Sequence, residues 1–298
     1  MRNVFSVNKL RRIAIVGVGL LGGSIGLAIR SAGSAAKRIG IGRRMSSLEK
    51  AAAFDAVDEI TVDVAEGVGD AELVVVCTPI GVIRSMFERM APCLPKGCVV
   101  TDVASTKAEV VRLAEAIFPK HVRFVGSHPM AGSEKTSVEF ARADLFQNAA
   151  CIVTPTRRSD PATVRSLRVF WEELGGHVHL LSPARHDRVL ARVSHLPHAV
   201  AAALVLLADA GDGTRYAGPG FGDATRIASG DPDLWRDVFA SNRKAVLRAL
   251  DSLGSELGRF RRILETGDDR ALTAWLARAK AKRDAWIAKR YAKKEIEP

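Results

Sequence analysis

His128 stands between Gly126-Ser127 and Pro129-Met130, off any apolar stripe. An imidazole titrates near neutrality and can take a hydroxyl proton while hydride leaves the same carbon, so this residue is the candidate base. Ser105 follows a different apolar run and can hold the same hydroxyl or orient the imidazole; capping its own loop is the plainer alternative. His195 and His198 are three apart, hence on one face of a helix. No acid stands at ligand spacing to them, so they do not read as a metal site. Each either bonds a substrate carboxylate or is a core or cap histidine. Arg226 follows Asp223, which reads as a helix cap; a guanidinium in a first helical turn would set two positive elements against one anion, the alternative being a surface arginine.

These groups need elements to position them, and the clearest lies between Arg12 and Gly33. Ile13-Ala14-Ile15-Val16 is an apolar run of strand length ending in Gly17-Val18-Gly19-Leu20-Leu21-Gly22, after which Leu21, Ile25, Ala28 and Ile29 recur at helical spacing. A strand, a glycine turn and a helix in that order form a dinucleotide site. The first glycine permits the bend, the second the approach of a pyrophosphate and the third the packing of helix on strand, while free N–H groups at the helix start face the anion. About 20 residues further on, where an acid would hold the ribose 2′-hydroxyl, the chain has Gly42-Arg43-Arg44 followed by Ser46-Ser47. A carboxylate would repel a 2′-phosphate, whereas Arg43 and Arg44 can hold it, so NADP is favoured over NAD.

Apolar strand-like runs then alternate with helical patterns. Strands are expected at 38–42, 73–77, 98–101, 122–125, 150–154 and 177–181, with helices at 47–54, 81–90, 107–117 and 161–174. Such alternation gives a parallel, doubly wound sheet whose ligands lie beyond the carboxyl ends of the strands. Gly17 to Gly22, Thr78-Pro79, Ser105 and the loop carrying His128 all follow strand ends and should face one crevice. No strand pattern appears after Leu181. Ser182-Pro183 starts a long apolar helix that Pro197 should kink, the glycine-rich stretch 218–222 is a loop, and Asp231-Pro232 and Asp268 or Asp269 start further helices. The fold class is therefore α/β: an N-terminal Rossmann-type dinucleotide-binding domain over 1–181 and an all-helical domain over 182–298.

The formal net charge of +11 raises nucleic-acid binding, but much of the excess lies between Arg278 and Lys294 on a terminal amphipathic helix, which reads as a solvated face, and no recognised nucleic-acid motif accompanies it. No signal peptide and no apolar run approaching the ~18–20 residues of a membrane span is evident, so the chain reads as cytoplasmic, with neither membrane nor nucleic acid as partner. Cys77, Cys93, Cys98 and Cys151 have no metal-ligand spacing and read as small buried hydrophobes.

Six blocks in order carry a resemblance: 17-GVGLLGGS-24, 76-VCTP-79, 102-DVASTK-107, 126-GSHPMAG-132, 194-SHLPH-198 and 221-FGDATR-226. Over about 12–262 the chain resembles the prephenate and arogenate dehydrogenases of tyrosine biosynthesis. The resemblance implies NAD(P)-dependent oxidative decarboxylation of a cyclohexadienol, with His128 as base, Ser105 supporting the hydroxyl and Arg226 on the ring carboxylate. His198 would meet the side-chain carboxylate, while Glu134, Asp223 and Trp235 would fall at substrate-pocket or gate positions. It also implies that the helical domain makes a homodimer. The competing readings are another dehydrogenase of this architecture, such as a 3-hydroxyacid dehydrogenase or imine reductase, and a non-enzymatic NADP-binding module.

Overall fold

The computed structural model describes residues 5–132, 135–210 and 212–292. Strand β1 (Arg12–Val16) has no polar face because both of its sides are covered. Ile13 and Ile15 join Ile25 and Ile29 of α1 (Leu20–Ser31) on one side, and Ala14 and Val16 join a second cluster on the other. β2 (Lys37–Ile41), α2 (Met45–Ala53), β3 (Glu59–Thr61), α3 (Val64–Val68), β4 (Leu73–Val76), α4 (Ile80–Met90), β5 (Val99–Asp102), α5 (Ala108–Ile117) and β6 (Arg123–Phe124) follow. The six strands pair in the order β3-β2-β1-β4-β5-β6, every pair parallel, which is the doubly wound arrangement expected.

Three features differ from the sequence reading. β3 and α3 were not anticipated: they span three and five residues, and β3, an edge strand carrying Glu59, shows no apolar alternation. The stretch after β6 is not a loop but β7 (Gly126–Pro129), all four of whose residues are buried. And β8 (Ala150–Thr154) and β9 (His177–Leu180), flanking α6 (Pro161–Glu173), do not extend the parallel sheet. They form a separate three-stranded sheet in which β7 pairs antiparallel with β8 and β8 parallel with β9. Glycine and proline hide β7 from any propensity argument; what holds it is tertiary, with Thr101 donating its hydroxyl to the Val125 carbonyl (2.8 Å) and meeting the Ser127 hydroxyl (2.8 Å).

From Ser182 the chain is helical. α7 (Pro183–Leu190) runs through a π-turn at Ala191–His195 into α8 (Leu196–Asp209). Pro197 has no N–H for the Val193 carbonyl, and the widened turn just before it is how the helix absorbs the defect. Among the described residues one helix, Pro183–Asp209, is by length and composition apolar enough to cross a membrane, and 28% of its most apolar window is buried. The expectation that nothing approached that length is corrected: His195, Pro197 and His198 break the run to the eye but not the average. α9 (Pro219–Thr225) and α10 (Pro232–Ser241) follow, and α11 (Arg243–Thr266) and α12 (Asp269–Ala292) end the described chain.

Two compact units divide the molecule, Met1–Val246 and Leu247–Pro298. Within the first, α10 is tied to the nucleotide-binding part: Gly81 N–H donates to Asp237 (3.1 Å) and the Thr106 and Ser241 hydroxyls meet at 3.0 Å. In the second, the turn between its helices passes through Gly267 at φ +64°, Asp268 caps the Ala271 amide (2.9 Å), and Phe260 packs on Trp275.

Candidate active site

The glycine turn sits at the carboxyl end of β1. Gly17 has φ +95°, and a Cβ there would lie 3.0 Å from the Cys77 carbonyl, so only glycine fits. A Cβ on Gly22 would fall 2.1 Å from the Gly17 carbonyl oxygen, which is the close packing expected of the third glycine. At the second glycine the expectation needs correcting. It is the chain's own Thr136 carbonyl that approaches, 2.7 Å from where a Gly19 Cβ would be, and it accepts the Leu20 N–H at 2.9 Å. One amide at the start of α1 is thereby satisfied internally, leaving those of Leu21 and Gly22 for an anion. Beside the turn Thr78, two residues past β4, has its hydroxyl buried and unpartnered, next to exposed Pro79. A tight turn, two open amides and an orphaned hydroxyl at the ends of β1 and β4 fit a dinucleotide phosphate. Arg43 and Arg44, after β2, are exposed, and their guanidinium groups make no hydrogen bond or ion pair among the described residues.

The second half of the site is drier. His128 is 8% exposed, and its Nδ1 lies 2.8 Å from Nε2 of His186 on α7, whose Nδ1 lies 2.8 Å from an Asp187 carboxylate oxygen. Asp187 also accepts the Lys107 N–H (2.8 Å) and the Ala108 N–H (2.9 Å), capping α5 from another helix. Beneath β7 the Lys107 ammonium, completely buried, is ion-paired with Asp102 and donates to the Ser127 carbonyl (2.7 Å). Burial pulls the Lys107 pKa down and the Asp102 pKa up, against their mutual attraction. Burial, then the neighbouring His186 and Lys107, hold the His128 pKa well below the ordinary histidine value, so the ring is neutral at pH 7.

On the substrate side, His195 is buried; its Nδ1 meets the Asn242 side-chain amide (3.1 Å) while Nε2 has no partner, and burial pushes its pKa down to about 4. His198 stacks on Trp235 with ring centroids 3.6 Å apart, and its Nδ1 is likewise buried without a partner. Trp235 is also 6.2 Å from the His195 ring, so both histidines share one face as their spacing predicts. Two orphaned imidazole nitrogens in so small a space are costly unless a ligand meets them.

Other candidates fall differently. Ser105 is half-buried on the loop after β5 and makes no hydrogen bond to His128; the orienting contact belongs to His186. Asp223 is not a cap. Gly218-Pro219 starts α9 early with proline at its first position, which puts exposed Asp223 inside the helix and exposed Arg226 at its C-terminal end, where only a short 3₁₀ turn (Arg226–Ser229) follows. Glu134 lies outside the described residues. The sequence reading missed His186, Asp187 and Asn242. The first two stand side by side in a short helix, as solvent-facing polar residues commonly do, and only the contacts from His128 to His186 and from His186 to Asp187 reveal them.

Comparison with known proteins accords with this geometry. A model of the prephenate dehydrogenase nucleotide-binding domain matches residues 25–180, and one of the prephenate dehydrogenase dimerization domain matches 182–278. This chain belongs to the prephenate/arogenate dehydrogenase family. It is 35% identical over 278 residues to a prephenate dehydrogenase of Bacillus subtilis, covering 91% of this chain and 75% of that one. To a cyclohexadienyl dehydrogenase of Zymomonas mobilis it is 32% identical, covering 87% and 90%. The crystal structure of the A. aeolicus prephenate dehydrogenase with hydroxyphenyl propionate and NAD+ superposes with a TM-score of 0.88 at 33% identity, over 93% of this chain and 98% of that one. As a member of the family the chain is an NAD(P)-dependent oxidoreductase.

Proposed function

We propose that this enzyme oxidises and decarboxylates prephenate, with His128 as general base and NADP as the preferred oxidant. The observation that carries the reading is the imidazole of His128, neutral, held at Nδ1 and without a partner at Nε2 among the described residues, in the same unit as two unpartnered histidine nitrogens. Gly17, Leu21, Gly22 and Thr78 would hold the pyrophosphate side of the dinucleotide and Arg43 with Arg44 a 2′-phosphate. The bound oxidised nicotinamide supplies the hydride acceptor.

Loss of hydride from the ring carbinol carbon develops positive charge there, and His128 Nε2 relieves it by taking the hydroxyl proton. The carbinol thus becomes a carbonyl. The bond from the ring to its carboxylate then breaks, CO₂ departs and the electron pair passes through the ring to the oxygen. The resulting phenolate recovers a proton from the His128 imidazolium, so the base ends as it began. In this reading Ser105 contacts the hydroxyl, Arg226 holds the ring carboxylate, and His195 and His198 meet the side chain, with the stacked Trp235 fixing the His198 ring. Asp223 and Glu134 complete the pocket in this reading.

We assign the working form as a cytoplasmic homodimer assembled by the region after 182. Val193, Leu206 and Leu207, in the first unit, are 65%, 73% and 75% exposed, and in the second unit Leu247, Leu257 and Leu264 are each 54% exposed. Large apolar side chains left this exposed support a face that a second copy covers. Sedimentation giving a stable monomer at micromolar concentration would end this assignment. The activity itself is tested by mixing pure protein with prephenate and NADP, or arogenate and NADP, and following absorbance at 340 nm. Growth with prephenate, accompanied by 4-hydroxyphenylpyruvate and CO₂, is the expected result; growth only with arogenate moves the substrate, and no growth with either removes the reading.

A further inference from the structure

We infer that His186 and Asp187 form a positioning relay that fixes His128 in the single tautomer able to act as a base. The inference rests on the reading of His128 as that base and extends it to two residues that do not touch substrate.

Hydrogen-bond bookkeeping along three side chains carries it. Asp187 is surrounded by donors: its oxygens accept from the backbone amides of Lys107 and Ala108 at the start of α5, and from the His186 ring. Those bonds hold its pKa below the ordinary carboxylate value against the cost of burial, so it is an ionised acceptor. His186 Nδ1, 2.8 Å from that carboxylate, must therefore carry a hydrogen. His186 is completely buried and its pKa is lowered, with burial outweighing the pull of Asp187, so the ring is neutral and its Nε2 is a bare lone pair. His128 Nδ1 sits 2.8 Å from that lone pair and must donate to it. A neutral His128 protonated at Nδ1 has its own lone pair on Nε2, the nitrogen left without a partner. Each step follows from the one before, and the chain starts at a carboxylate anchored on a helix N-terminus.

Without the relay, His128 would divide between two tautomers, one of which presents N–H to the hydroxyl and cannot accept a proton. With it, the imidazolium formed in the reaction keeps its Nδ1–H bond to His186, which is polarised by Asp187. No second proton transfer is required. The other groups around His128 do not set the tautomer. Lys107 is paired with Asp102 and with the Ser127 carbonyl, His195 bonds Asn242, and the Cys151 thiol on neighbouring β8 is held protonated by burial.

Asp187→Asn separates this role from a structural one. The asparagine oxygen can keep the Ala108 amide while its NH₂ takes the place of the oxygen shared by the Lys107 N–H and His186, giving up the Lys107 bond; His186 then turns its lone pair to Nδ1 and its hydrogen to Nε2. His128 is forced to accept at Nδ1 and to carry its hydrogen on Nε2, the wrong side. The same Asp→Asn exchange behind a catalytic histidine in serine proteases costs about 10⁴-fold in kcat through the wrong tautomer. The expected result here is a kcat lower by roughly 10²–10⁴-fold at neutral pH, with NADP affinity and the KM for prephenate within about threefold. His186→Gln, whose oxygen can accept from His128 and whose NH₂ can donate to Asp187, should retain far more activity than His186→Leu.

Nitrogen-15 NMR of the imidazoles in the unmutated, substrate-free protein gives a readout independent of turnover and of the folding of any variant. His128 should be protonated at Nδ1 and bare at Nε2, with the pattern reversed in Asp187→Asn. An Nε2–H tautomer of His128 in the unmutated protein overturns the relay, as does an Asp187→Asn enzyme with kcat within threefold of normal. If His128→Asn is inactive while the relay variants are normal, the relay fails and the base stands; if His128→Asn is itself near normal, the base fails first.

Discussion

The nucleotide turn and the His128 cluster lie in one compact unit but are built in opposite ways. The turn is contiguous: β1, its glycines and α1 lie within residues 12–31, and their geometry follows from the chain's own steric demands at Gly17 and Gly22. The cluster is assembled from Asp102, Lys107, His128, His186, Asp187, His195 and Asn242, contributed by strands of two sheets and by helices far apart in sequence. The first remains open, with exposed arginines at one end; the second is buried, and its histidines are held neutral by desolvation. A ligand phosphate can be met by any amide and cation in reach, whereas a proton acceptor needs one nitrogen in one protonation state, and that takes a dry, multiply anchored environment.

Three perturbations should separate the halves. The largest effect expected is at the open end. Arg43→Ala with Arg44→Ala removes up to two charge-assisted contacts, each worth roughly tenfold or more in affinity, so NADP should weaken about a hundredfold while NAD changes little and prephenate not at all. Equal losses for NADP and NAD in titrations would place the arginines outside the phosphate site.

Acid should act on the buried half. A histidine whose folded pKa lies below its unfolded value of about 6.5 contributes stability that is complete above pH 6.5 and is lost as pH falls, because the unfolded chain binds the proton first. For His195, with a folded pKa of about 4, the loss between pH 6.5 and pH 4 amounts to about 3 kcal/mol, and His128 and His186 act in the same direction. Urea unfolding at pH 7.5 and pH 5 should show the decline; equal midpoints would mean these rings are protonated in the folded protein. The smallest effect is at Arg226, a single exposed cation. Arg226→Ala should raise the KM for prephenate roughly tenfold with the NADP dissociation constant unchanged, and an unaltered KM would make the residue structural.

The same contrast explains what could be read from the chain alone. Five of the six strands of the parallel sheet and the helical second half were legible because apolar period and glycine position are local signals; the short edge strand β3 was not, and β8 and β9, read as part of that sheet, form another. β7 was not, since Gly126-Ser127-His128-Pro129 has no strand propensity and is held by Thr101 and Asp102. Arg226 was misplaced because Gly218-Pro219, read as loop, in fact starts the helix. His128 stood out by its loop-like surroundings, which proved to be a buried strand; the residue was found although its setting was misread. His186 gave no signal, because its importance is a 2.8 Å contact across 58 positions of sequence.

The central claim is that the nitrogen of His128 takes the substrate proton, and the pH dependence of kcat in His128→Asn tests it most directly. Asparagine keeps a hydrogen-bonding side chain and loses the basicity, so kcat should fall about 10²–10⁴-fold while NADP binds as before. The unmutated enzyme should show an acid limb below pH 6.5, where burial places the His128 pKa, and the variant should show none. A His128→Asn enzyme with near-normal kcat and the same acid limb would contradict the account.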